Sequence, residues 1–115
     1  MIRRNGSYEV DERFEMRGGK GTVRIEHLWK KDELKGNTRL FAKLTLEPGA
    51  SIGFHEHDDE EEIFVIVQGK GRMQDGDELC ELCPGDTILT GDGAGHAVES
   101  IGDQALVMVA VIVQY

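Results

Sequence analysis

The chain has 115 residues, of which 39% are hydrophobic and 30% are charged, and its formal net charge at pH 7 is -9. This length accommodates one domain with a single modest core. The acidic balance argues against a nucleic-acid partner, because affinity for a phosphate backbone depends on clustered Lys and Arg. The basic residues near the N-terminus are scattered among acids, so we expect them to be solvated surface: Arg3, Arg4, Arg13, Arg17 and Lys20. No signal-peptide pattern or apolar stretch of membrane length is present near the N-terminus, so no membrane partner and a cytoplasmic location are expected.

The beginning of the chain has a weaker strand pattern than the rest. Thr22 to Trp29 alternates like an additional strand, whereas residues 1–21 have no pattern that places them. Regular alternation starts at Thr38 and continues to Glu47, which predicts a half-buried strand. We therefore expect a single domain overall, in which residues 1–37 form an N-terminal segment and residues 38–115 form a β-barrel. The inward face of the half-buried strand carries Leu40, Ala42, Leu44 and Leu46.

Short strands separated by turns account for the remainder of the chain. The apolar run Ile63–Gln68 ends at a glycine-rich turn, and Asp75-Gly76-Asp77 predicts a hairpin, because Asp-Gly is a favoured pair in such turns. Ala105–Val113 is apolar and rich in β-branched residues, which predicts a strand buried on both faces. Turn signals recurring about every eight to twelve residues are typical of an all-β sandwich or barrel. The fold we predict is a small antiparallel jelly-roll β-barrel.

Three histidines and a carboxylate have the spacing of a metal site. His55 and His57 project to the same side of an extended strand, roughly 6.6 Å apart along it. The acidic turn that follows leads to Glu62 at the start of the next apolar run, and His96 follows a glycine-rich loop. Imidazole and carboxylate together suit one divalent transition-metal ion, for which we expect Mn, Fe, Ni or Zn.

These residues resemble the two sequence motifs of the cupin family. The first motif is matched at every position, by Gly49, His55, His57, Glu62 and Gly69. The second motif resembles the segment that contains Gly85, Gly91, Gly93, His96 and Ser100. Gly91 stands where the family usually has proline and Ser100 where it usually has asparagine, but neither position is a metal ligand in the family. The resemblance covers about Leu40 to Val113, and it implies a jelly-roll barrel with a metal held near its mouth by His55, His57, Glu62 and His96.

The choice of carboxylate also depends on the resemblance. Glu61 and Glu62 both satisfy the spacing after His57, and we choose Glu62 because the motif counts back to it from Gly69, with Glu61 as the alternative. Alternation then places Phe64, Ile66 and Gln68 on the same face as the site, where they form a possible pocket. For Phe64 and Ile66, core packing is the first expectation. The preceding acids are expected to be a solvated run: Asp58, Asp59 and Glu60.

The reaction is not specified by these residues, since one fold hosts many chemistries. Dioxygenase, decarboxylase and isomerase activities all occur among proteins that this chain resembles. Our hypothesis is a metal-dependent enzyme that acts on a small oxygen-rich or carbonyl compound, with no side chain yet assigned to catalysis. The alternative is a non-catalytic barrel that binds a small molecule, with a structural or auxiliary metal.

Three further features have less specific interpretations. Cys80 and Cys83 form a lone Cys-x-x-Cys without a second pair, which favours free, structural cysteines facing opposite sides of a strand. His27 is expected to be structural or exposed. Trp29 is large for so small a barrel to bury alone, and the resemblance implies a protein that commonly dimerises, so we expect a homodimer.

Overall fold

Ten strands and two short 3-10 turns make up the computed structural model, which describes residues 1–115. The strands are β1 (Glu9–Phe14), β2 (Thr22–His27), β3 (Thr38–Leu46), β4 (Ser51–Glu56), β5 (Glu60–Gln68), β6 (Gly71–Asp75), β7 (Glu78–Leu82), β8 (Thr87–Gly91), β9 (Gly95–Ser100) and β10 (Leu106–Gln114). The 3-10 turns are Met16–Gly18 and Lys31–Glu33. Neither has the length or the apolar character that crossing a membrane requires.

The strands form two antiparallel sheets that face each other. The larger sheet has the order β1-β2-β3-β10-β5-β8, and the smaller one has the order β4-β9-β6-β7. After β3 the chain alternates between the sheets except at the β6–β7 hairpin, so that strands distant in sequence pair with each other: β3 with β10, β5 with β8 and β10, and β9 with β4 and β6. This arrangement is a jelly roll, and it confirms the predicted all-β fold.

The core lies between the two sheets, because alternation along the strands places apolar side chains on the inward faces. Leu44 and Leu46 of β3 are buried beside Met108 and Ala110 of β10, and Met73 of the smaller sheet covers them from the opposite side. The expectation that β10 is buried on both faces was wrong, because its outward residues are only half-buried. No other layer packs on the outside of the larger sheet, so only one face of β10 reaches the core.

The hairpin between β6 and β7 confirms the turn predicted at Asp75-Gly76-Asp77. Asp75 pairs with Glu78, which leaves Gly76 and Asp77 as a two-residue loop. Gly76 has a φ of 60°, a left-handed conformation that glycine adopts without steric cost.

The first strand, β1, had no signal in the sequence. It pairs with β2 at the edge of the larger sheet, and all six of its residues are exposed on both faces. A strand with no buried face needs no alternation of polar and apolar residues, so its pattern is absent. The additional strand predicted at Thr22 to Trp29 is present as β2.

Residues 15–19, here called the strap, cross close over β4. Glu15 and Arg17 both have left-handed backbone conformations, with φ values of 51° and 54°. The close contact between the strap and β4 requires a glycine in each of the two segments. A Cβ at Gly53 would collide with the carbonyl oxygen of Arg17, and a Cβ at Gly19 would collide with the carbonyl oxygen of Ser51.

Trp29 is covered by the chain's own N-terminus. The Arg3 guanidinium lies 4.3 Å from the centre of the Trp29 ring and also forms a bidentate ion pair with Glu33. The Arg3 guanidinium also donates to the carbonyl oxygen of Leu28, which fixes its position over Trp29. Trp29 is therefore partly shielded within one chain, so the argument for a dimer from this residue does not hold.

Candidate metal centre

Strands from both sheets bring the four predicted ligands together at one end of the barrel. His55 on β4 lies directly opposite His96 on the neighbouring β9, and His57 follows the end of β4, where backbone hydrogen bonds tie it to Gly93 and Ala94. Glu62 reaches the same space from β5 of the larger sheet. One ligand atom from each of the four residues lies within 4.8 Å of all the others: His55, His57, Glu62 and His96.

The converging atoms are the Nε2 atoms of the rings and one oxygen of the carboxylate. Glu62 Oε1 lies 3.0 Å from Nε2 of His57 and 3.0 Å from Nε2 of His96. The Nε2 atom of His96 lies 3.2 Å from that of His57 and 3.1 Å from that of His55. His57, His96 and Glu62 are 2%, 1% and 5% exposed, so water contributes little to their solvation.

Each ring is also held by a hydrogen bond at Nδ1, the nitrogen that faces away from the cluster. The Nδ1 atom of His55 lies 2.8 Å from the carbonyl oxygen of Gly53, and that of His96 lies 2.9 Å from the hydroxyl of Thr90. The Nδ1 atom of His57 lies 2.6 Å from Oε2 of Glu60. A carbonyl oxygen only accepts hydrogen bonds, so Nδ1 carries the proton in His55 and its Nε2 lone pair is directed inward. His57 faces a carboxylate at each nitrogen, and the shorter contact, 2.6 Å to Glu60 against 3.0 Å to Glu62, favours the proton on Nδ1 when the ring is neutral.

This donor set fits a divalent transition metal. When the rings are neutral with Nδ1–H in His55 and His57, the Nε2 lone pairs of these two rings and the Glu62 carboxylate face one another in one space. A cation removes the repulsion among these atoms. Nitrogen and oxygen ligands oriented by hydrogen bonds on their far side are typical of metal sites.

Burial and charge shift the pKa values of these groups in opposite directions. Burial lowers the pKa of His55 below its ordinary value. The hydrogen bond to Glu62, followed by that to Glu60, raises the pKa of His57. Burial is the largest single influence on Glu62 and acts to raise its pKa, but the hydrogen bonds and charges of His57 and His96 together lower it. The cluster therefore favours a charged carboxylate beside a readily protonated ring.

A cavity of about 370 Å³ opens beside the four residues and is lined by three of them, His55, His57 and Glu62. Half of its lining is hydrophobic, and the apolar wall includes Phe64, whose ring stacks on His96 with centroids 5.1 Å apart. Much of the remaining apolar lining is shared with the core: Ile25, Leu44 and Ile52. Ligands in this cavity would meet an apolar wall on one side and the polar cluster on another.

Three arginines line the same cavity, Arg13, Arg17 and Arg39. Arg39 is paired with Glu60, whereas Arg13 and Arg17 have no acidic partner. The expectation that Arg13 and Arg17 are merely solvated surface was incomplete, because both are exposed but border the cavity. Sequence spacing did not indicate this, since the irregular strap brings Arg17 to the cavity.

The possible pocket residues are placed differently from one another. Phe64 lines the cavity, and Ile66 is 1% exposed and belongs to the core. Gln68 is exposed outside the cavity, and its amide donates to the carbonyl oxygen of Ala105. The cause is an irregularity in the pairing of β5 with β10, where Val67 has no partner and the alternation shifts. Glu61, the alternative carboxylate, is not among the converging groups.

Two residues that support the rings were not identified from the sequence. Glu60 was expected to be solvated, but its side chain is 12% exposed and lies between Arg39 and His57. Its position two residues before Glu62, on the same face of the strand, was a usable signal. Thr90 is buried opposite Glu62 on β8, and only the strand register reveals that position.

His27 also lines the cavity, contrary to a purely structural interpretation. Its Nε2 atom lies 2.7 Å from Oδ2 of Asp11, which holds the ring at the cavity wall. Cys80 and Cys83 are free, as expected, and both are exposed, so neither is a core residue.

Comparison with known proteins agrees with this geometry. A sequence profile described as the cupin domain matches residues 42–112. A Thermotoga maritima protein named oxalate-binding protein is 36% identical over 113 residues, which are 98% of this chain and 93% of that protein. An uncharacterized protein from Methanocaldococcus jannaschii is 32% identical over 82 residues, which are 71% of this chain and 66% of that protein.

The fold is also found among solved structures. A crystal structure described as a predicted oxalate decarboxylase from Thermotoga maritima superposes with a TM-score of 0.95 at 36% identity and covers 100% of both chains. A cupin-like protein from the same organism has a TM-score of 0.73 at 25% identity, covering 84% of this chain and 71% of that one. This chain therefore belongs to the cupin family.

Proposed function

We propose that this protein binds one divalent transition-metal ion, Mn, Fe, Ni or Zn, and uses it to bind a small carboxylate anion. The ligands of the ion would be His55, His57, Glu62 and His96. The observation that carries this proposal is the fixed orientation of the three rings, whose Nε2 atoms converge on one carboxylate oxygen within a buried space. Four protein ligands leave coordination positions open, and there the ion would polarise a ligand oxygen as a Lewis acid.

The arginines of the cavity support an anionic ligand. The chain has a net charge of -9, yet two of the three arginines that border the cavity lack an acidic partner. Guanidinium groups bind carboxylates through two parallel hydrogen bonds, which makes arginine well suited to this recognition. A volume of about 370 Å³ admits a small molecule. The relative named oxalate-binding protein favours a short dicarboxylate of the oxalate class.

A second candidate function is decarboxylation of the same ligand. Loss of CO2 from oxalate leaves a carbon that must gain one proton, which gives formate with no change in the total number of electrons. His27 lines the cavity and is held by Asp11, so it is placed to supply that proton. The similarity to a predicted oxalate decarboxylase also favours this chemistry.

The outer face of the larger sheet supports a homodimer. Val65, Val67 and Leu89 are 42%, 54% and 64% exposed there, beside the half-buried outward side chains of Val109 and Val111 on β10. These five side chains are all apolar, although 30% of the chain is charged, and Lys43, which pairs with Val109 in the next strand, is engaged by Glu26. We infer that a second copy covers this face, because an isologous contact matches one apolar patch with another and keeps the acidic surfaces apart.

The metal site is tested by elemental analysis of untagged protein after loading with Mn²⁺ or Zn²⁺ and desalting. We expect about one equivalent per chain in the wild type. The His55→Ala/His57→Ala double variant should lose it, because two of four ligands are removed. His27→Ala, which removes a histidine outside the cluster, should retain it. A wild type that holds no metal after loading would refute the proposal.

The anion site is tested by titrating oxalate into the Mn²⁺-loaded protein in a calorimeter. Arg17→Met should weaken binding by roughly 10- to 100-fold, since one charge-assisted hydrogen bond contributes about 1.5–3 kcal/mol. Arg24→Met is the matched control, because Arg24 lies away from the cavity and pairs with Glu12. Equal affinities for Arg17→Met and the wild type would exclude Arg17 from the site.

Turnover is tested by incubating the Mn²⁺-loaded protein with oxalate and measuring formate and CO2. If the protein is a decarboxylase, equal amounts of both products form, and His27→Gln lowers kcat by roughly 10²-fold or more through loss of the proton donor. Oxalate binding without any formate would contradict the second candidate and leave the binding function.

The dimer is tested by light scattering. Leu89→Lys should convert a dimer into a monomer at micromolar concentration, because it places a charge in the apolar face. Leu79→Lys is the matched control, since Leu79 is 72% exposed but lies on β7 of the smaller sheet. A monomeric wild type would contradict the proposed dimer.

A further inference from the structure

We propose that Glu60, held by Arg39, is a positioning residue that fixes the orientation of His57 and strengthens it as a metal ligand. The inference rests on the proposed metal site and adds two residues to it. It concerns how one ring is prepared for the ion.

The contacts form a continuous chain from Arg39 to the cluster. Nε of Arg39 donates to Oε1 of Glu60 at 2.9 Å, and Nη2 donates to Oε2 at 2.9 Å. Oε2 of Glu60 also accepts from Nδ1 of His57 at 2.6 Å. The opposite nitrogen of the same ring then faces Glu62 at 3.0 Å. The two hydrogen bonds from Arg39 thus fix the plane of the Glu60 carboxylate, and the hydrogen bond from His57 ties that carboxylate to the ring.

Burial makes this contact specific. The side chains of Glu60 and His57 are only 12% and 2% exposed, so a carboxylate without partners would be costly there. Two charge-assisted hydrogen bonds from the Arg39 guanidinium offset that cost and stabilise Glu60 as a charged acceptor.

His57 differs in this respect from the other two rings. His55 is supported by a backbone carbonyl and His96 by the hydroxyl of Thr90, whereas His57 alone has a charged acceptor. A carboxylate behind an imidazole increases the electron density on the opposite nitrogen and favours the tautomer that binds a metal. The structure thus assigns His57 the strongest ligand nitrogen of the three.

The experiment compares metal-free and Co²⁺-titrated proteins. In long-range ¹H–¹⁵N spectra at alkaline pH, where the ring is neutral, wild-type His57 should be the Nδ1–H tautomer. Glu60→Ala should shift it toward Nε2–H and weaken Co²⁺ binding by about 10- to 100-fold. Glu60→Gln, which keeps an accepting oxygen, should restore the tautomer and part of the affinity. Arg39→Met should also weaken Co²⁺ binding, by a smaller factor.

Glu61→Ala is the matched control, since it removes the adjacent carboxylate, which makes no side-chain hydrogen bond or ion pair; it should behave as the wild type. A Glu60→Ala protein with the wild-type tautomer and affinity would overturn the inference. If the wild type binds no Co²⁺, the proposed metal function fails, but the tautomer in the metal-free proteins still decides whether Glu60 positions His57.

Discussion

The barrel has to hold three imidazole nitrogens and a carboxylate oxygen against one another away from water. Nε2 atoms of three histidines and an oxygen of Glu62 lie within 4.8 Å, and a flexible chain would relieve their repulsion by moving apart. The strands prevent this because they are fixed by the apolar core between the sheets. Hydrogen bonds to Gly53, Glu60 and Thr90 then remove the rotation that the rings would otherwise keep. Fold and supporting contacts together prepare the site for a cation.

Strand periodicity and residue spacing were sufficient for the fold and for the composition of the cluster. The alternation from Leu40 to Leu46 specified the buried face of β3 correctly, because one face lies on the core and pairing is regular on both sides from Ala42 to Leu46. His55 and His57 share a side, as a period of two residues requires. Such inferences hold wherever a strand is regular and a single face is buried.

The sequence was less informative where the backbone is irregular or a residue acts through a distant partner. Gln68 was expected to line the cavity, but the irregularity at Val67 moves it outside. Glu60 lies in an acidic run that is typical of solvated surface, and although it shares a strand face with Glu62, its pairing with Arg39 of another strand was not predictable from spacing. Arg17 reaches the cavity through a left-handed turn, which no periodicity describes. These features depend on contacts between segments far apart in the chain.

The positions of the four ligands on both sheets also bear on the stability of the whole protein. His55, His57 and His96 are at β4 and β9 of the smaller sheet, whereas Glu62 belongs to the larger sheet, so a bound ion would join the two layers directly. The unfolded chain has no comparable site, and a ligand that binds only the native state shifts the folding equilibrium by mass action. The concentration of free metal around the protein would then help to determine how long each molecule remains folded.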